Sequence, residues 1–82
     1  MYLSSNTKDK NLIGERLKIA RNKIKPKVTQ LDLLARLEVR GILLEKTAIS
    51  KIEAKTRPVT DIELVEIAGA LGVSILWLLG KE

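Results

Sequence analysis

Three polar residues, Thr29, Thr60 and Ser74, each stand at the head of an apolar run of helical period, and a glycine follows each run: Gly41, Gly72 and Gly80. A side-chain oxygen at such a position accepts from a free N–H of the first helical turn, and glycine suits the residue just past a helix end. This punctuation confines the chain to short helices. Thr60-Asp61-Ile62-Glu63 is a full capping box. Thr29 with Asp32 is a near match, with Asp where Glu or Gln is usual.

The periodicity fills in the rest. Helix one is expected from about Asn11 to Lys23, with Leu12, Ile13, Leu17, Ala20 and Ile24 as its apolar face. Gly14 inside it lowers helix propensity; it is either incidental or admits a neighbouring backbone at close range. Pro26 disfavours helical geometry at Lys25 and closes the helix. Helix two begins at Thr29, turns Leu33, Leu34, Leu37 and Val39 inward, and ends between Val39 and Gly41. Ile42-Leu43-Leu44 forms a linker whose alternation buries Ile42 and Leu44 and leaves Leu43 toward solvent. Helix three is expected from about Lys46 to Glu53. Helix four carries Leu64, Ile67, Ala68 and Leu71 inward, and helix five holds Ile75 to Leu79. Five helices without strand-like alternation predict one compact all-α domain over residues 11–80, preceded by a polar, flexible segment over residues 1–10.

The third helix has two faces. Ile49 and Ile52 form an apolar stripe, while Lys46, Thr47, Ser50 and Lys51 lie largely on the other side. A small basic, polar-faced helix following another short helix is what a groove-reading helix-turn-helix requires.

Charge agrees with that reading without demanding it. The net charge of +5 is uneven: residues 1–60 hold 14 lysines and arginines against 6 acids, and residues 61–82 hold one lysine against 4 acids. A positive field over the front of the chain suits phosphate, and it also suits a solvated surface. With no cysteine and no histidine, disulfides, thiolate metal sites and imidazole acid–base chemistry are excluded. The acids Asp61, Glu63 and Glu66 are explained by helix capping and a solvated face, and there is no phosphate-cradling glycine loop. The expectation is a protein that is not an enzyme and takes no cofactor or metal. No stretch has the length of a signal peptide core or a membrane span, so a cytoplasmic protein with no membrane partner is expected.

Taken in order, Ile13-Gly14-Glu15-Arg16-Leu17 with Ala20-Arg21, Thr29-Gln30 with Ala35 and Leu37, Ile49-Ser50-Lys51-Ile52-Glu53, Arg57-Pro58, and Leu64 with Ala68 and Leu71-Gly72-Val73-Ser74 resemble the Cro/cI-type (XRE) helix-turn-helix family. The resemblance spans roughly Ile13 to Gly80. It implies a lambda-repressor-like five-helix domain that binds double-stranded DNA at a palindromic operator as a homodimer and represses transcription. The chain departs from the family's common form in two places. Residues 38–45 make a longer second helix and linker than the usual Gly-Val-Ser turn, and Glu45 stands where a serine cap is usual. A carboxylate there would repel phosphate, and could accept from a cytosine amino group.

The resemblance also implies roles. Lys46, Thr47 and Ser50 would read bases, and Gln30 would contact phosphate while bracing the reading helix. Lys51, Lys55 and Arg57 would reach phosphate, with Arg21, Asn22 and Lys27 as flanking contacts. For each, the rival is a solvated helix face. Glu53 is expected to be structural, paired with a basic side chain of helix one or helix four. Helix five is apolar nearly all round, and Ile75, Leu76, Trp77 and Leu79 are expected at a dimer seam. The alternative is a protein-interaction module, such as an antitoxin-like partner, docking through this helix and Leu43.

Overall fold

The computed structural model describes residues 11–82, so the expected flexible segment 1–10 lies outside the described residues. It holds five helices: α1 (Gly14–Lys23), α2 (Gln30–Val39), α3 (Ala48–Glu53), α4 (Asp61–Leu71) and α5 (Ile75–Leu78). No strand occurs among the described residues, and none of their helices is long and apolar enough to cross a membrane. The fold is all-α, as the periodicity predicts.

Helix starts follow local chemistry. The Thr29 hydroxyl accepts from the Asp32 N–H at 3.0 Å, and the Asp32 carboxylate accepts from the Thr29 N–H at 3.0 Å. The same reciprocal pair joins Thr60 and Glu63. Ser74 caps α5 through the Trp77 N–H. α1 begins three residues later than expected. The Asn11 side-chain oxygen Oδ1 accepts from the N–H groups of both Ile13 and Gly14, a local turn that keeps residues 11–13 outside the helix. Leu12 therefore falls before the helix and is 56% exposed, while Ile13, Leu17 and Ala20 are buried.

Helix ends show one contrast. α2 and α4 stop on Gly41 and Gly72, both at positive φ. α3 stops in the same way on a lysine: Lys55 has φ 61, and the Thr56 N–H reaches back to the Lys51 carbonyl at 3.0 Å. Lys55 is the one non-glycine residue at positive φ among those described.

The core gathers Ile13, Leu17, Val28, Leu33, Leu37, Ile49, Ile52, Ile67, Leu71 and Leu78, one or more from every helix or its flank. α3 packs against α1 and α2, α2 against α4, and α5 against α1 and α4. Arg40 braces the α2–α4 contact: it lies over Gly69 and pairs with Glu66 at 2.7 Å. Two further expectations fail. Val39 is 88% exposed, because it lies two residues past Leu37 and so about 200° round the helix. Helix three does not reach back to Lys46. The Ala48 N–H bonds to the Glu45 carbonyl, and Lys46 and Thr47 form the turn before the helix. The linker follows its alternation: Ile42 and Leu44 are half-buried and Leu43 is exposed.

Candidate nucleic-acid interface

A six-residue helix has too few internal hydrogen bonds to persist alone. α3 is held by what surrounds it. Ala48, Ile49 and Ile52 are buried at 0–2% exposure. The Asn11 side chain donates to the Ile52 carbonyl at 2.8 Å and to the Arg57 carbonyl at 3.0 Å, tying the end of α3 to the loop beyond it. Gly14 sits where a Cβ would come within 2.6 Å of the Ile52 carbonyl oxygen, so α1 approaches α3 at a distance only glycine allows. The close backbone approach considered for Gly14 is the one found.

Glu53, the last residue of α3, is a hub. Its carboxylate takes Arg21 Nε at 2.6 Å and Nη2 at 2.9 Å from α1, and Gln30 Nε2 at 3.1 Å from α2. Arg21 also donates to the Val28 carbonyl at 2.8 Å. The expectation that Glu53 pairs with a basic residue of helix one is met. The expected phosphate role of Arg21 is not: its guanidinium is buried and engaged inside the protein. Gln30 braces α3 and is only half-buried, so one side of it still faces solvent.

The opposite face of α3 and its leading turn are open. Lys46, Thr47, Ser50 and Lys51 are all exposed. Lys46 and Lys51 form no ion pair with any described residue. The Ser50 hydroxyl donates to the Thr47 carbonyl at 2.8 Å, which leaves its lone pairs to accept. Asn22 and Lys27 are exposed at the far end of α1 and in the loop after it.

Beyond α3 the loop is partly committed. Arg57 meets Glu63 at two points, Nη1 to Oε1 at 3.0 Å and Nη2 to Oε2 at 2.9 Å. This hydrogen bonding raises the Arg57 pKa, with Glu45 adding a smaller field, and it lowers that of Glu63. The Arg57 side chain is 28% exposed, so one edge of a held guanidinium faces outward. Lys55 is half-buried, and its nearest acid, Glu15, lies 3.9 Å away. A groove of about 440 Å³ runs beside α3, with Glu45, Lys51, Thr56 and Arg57 among its walls.

Of the four residues expected at a dimer seam, Ile75 and Leu76 are exposed at 37% and 56%. Trp77 and Leu79 are half-buried against the core, and Leu78 fills it. Arg16 covers Trp77: its guanidinium carbon is 5.0 Å from the ring centroid, and Nη1 donates to the Trp77 carbonyl at 3.0 Å. The residues that sequence reasoning passed over are Asn11 and Arg16. Asn11 has the composition of a helix cap, but its second set of bonds spans more than 40 positions.

Comparison with known families, with curated proteins and with solved structures finds no match to this chain.

Proposed function

We propose that the protein is a sequence-specific double-stranded DNA-binding regulator, with α2 and α3 as a helix-turn-helix and the face of α3 in the major groove. One observation carries the reading. A helix too short to stand alone is fastened from three sides, by Asn11, Arg21 and Gln30, while Lys46, Thr47, Ser50 and Lys51 remain exposed on and just before it. A rigidly seated helix with a free polar face suits base-edge recognition, which needs side chains held at fixed positions. The resemblance to Cro/cI-type domains supports the same reading, as does the excess of cations over residues 1–60. Lys51, Lys55, Arg57 and Gln30 are the phosphate contacts of this proposal, with Asn22 and Lys27 at its margin.

Selection of bound duplexes from a random library at about 0.15 M salt tests it. The expected result is a defined motif, palindromic if two copies bind. Recovery of no motif would refute the proposal.

A second reading draws on exposed Ile75 and Leu76, large apolar side chains on one short helix. They suit a protein contact, either a second copy or an antitoxin-like partner. A dimer seam there is compatible with DNA binding.

A further inference from the structure

We propose that Glu45 reads a cytosine in the bound duplex, and that the same carboxylate disfavours duplexes without cytosine at that position. The inference rests on the reading of α3 as a major-groove helix.

Glu45 is fixed by its backbone. Its carbonyl accepts from the Ala48 N–H at 2.9 Å, which places it in the turn that leads into α3, directly before Lys46 and Thr47. Its side chain is exposed and forms no hydrogen bond or ion pair with any described residue. The acids Glu53, Glu63 and Glu66 differ, each being paired with an arginine. Glu45 also shares the groove beside α3 with Lys51 and Arg57. A carboxylate with no hydrogen-bond or ion-pair partner, though within the field of Arg57, thus stands among the cations of the surface proposed to meet a polyanion.

Chemistry narrows what it can do there. A carboxylate only accepts, and the phosphate oxygens repel it. In the major groove it needs a donor, and the bases offer only the amino groups of cytosine and adenine. Adenine presents its amino group beside the N7 acceptor, a pattern that suits an amide and opposes a carboxylate. Cytosine remains. On guanine and thymine the charge meets acceptors with no donor, and on adenine N7 opposes it beside the amino group, so it separates sites by what it rejects as well as by what it binds.

The experiment compares wild type, Glu45→Ala and Glu45→Gln by duplex selection and by titration of the selected site with each base substituted in turn. Thermal melting of both variants accompanies it; at an exposed position the midpoint should not move. Wild type is expected to prefer cytosine at one position by roughly five- to 150-fold. Glu45→Ala should lose that preference alone and bind random duplexes more tightly. Glu45→Gln should move the preference at that position to adenine. A wild-type motif that both variants leave unchanged overturns the inference and spares the DNA-binding proposal. So does a uniform gain on all duplexes, or loss of preference for a base other than cytosine. If wild type selects no duplex, the DNA-binding proposal fails and this inference with it.

Discussion

Arg21 and Glu53 meet at two points across the α1–α3 contact, at 2.6 and 2.9 Å, with side chains only 8% and 7% exposed. A buried ion pair of this kind costs desolvation of both ions, and its strength depends on both partners being present. Arg21→Ala leaves the Glu53 carboxylate buried with Gln30 as its remaining side-chain donor. We expect a loss of about 3–5 kcal/mol in urea denaturation, and a much smaller loss when Glu53 is also replaced, as in Arg21→Met with Glu53→Leu. Equal losses for the single and the double variant would show that the pair does not hold α3.

Lys55 occupies a left-handed backbone position where α2 and α4 end on glycine. A side chain there costs about 1 kcal/mol. Lys55→Gly should therefore raise stability by about that amount in denaturant titration. If Lys55 neutralises one phosphate, the same change should weaken duplex binding and lower the salt slope of log K by about 0.9. A more stable variant with an unchanged slope would make Lys55 a bystander of binding.

Lys46 and Thr47 are exposed, so replacing them should not move the melting midpoint. Lys46→Ala and Thr47→Ala are each expected to remove about 1–3 kcal/mol of discrimination between the selected duplex and random DNA. Competition binding separates this from a phosphate contact, which would weaken both duplexes alike.

Acid should weaken the domain through Glu63 and Asp32. The Arg57 guanidinium lowers the Glu63 pKa below its ordinary 4.5, and the Thr29 backbone N–H lowers that of Asp32 below 3.8. Both groups bind protons more weakly folded than unfolded. Their contribution is complete above the ordinary values and is lost as pH falls from there through the folded values. Stability from denaturant titration should fall as pH drops below about 4.5, the ordinary value for Glu63. Glu63→Gln should flatten that fall, and an unchanged pH profile in this variant would contradict the assignment.

Leu76 is 56% exposed on α5, whose Leu78 is core. Leu76→Glu should preserve the fold and, if α5 forms the seam of a homodimer, lower the sedimentation coefficient or abolish cooperative binding to a duplex with two half-sites. Half-site centres one helical turn apart, roughly 34–36 Å, are the spacing to use. Unchanged stoichiometry would remove α5 from the seam.

The sequence alone determined what depends on near neighbours. The boxes at Thr29–Asp32 and Thr60–Glu63 and the Ser74 cap join residues three apart, so their spacing is written in the chain. Burial of Ile49 and Ile52, and the alternation of Ile42, Leu43 and Leu44, follow from period in the same way. Tertiary structure decided where separation is long. Arg16, Lys18, Arg21 and Lys23 all fall outside the apolar period of α1, which does not say which of them meets Glu53. The choice falls on Arg21, because the close approach at Gly14 brings α1 and α3 together there. Asn11 stands in the sequence only as the expected start of helix one, and the fold brings the Ile52 carbonyl to its side-chain amide. Leu12 and Val39 leave the core because a helix start moved and a helix face turned away, and Leu78 enters it because α1 and α4 close over α5. Apolar content shows how much a chain must bury; which side chains go in is settled when the helices choose their neighbours.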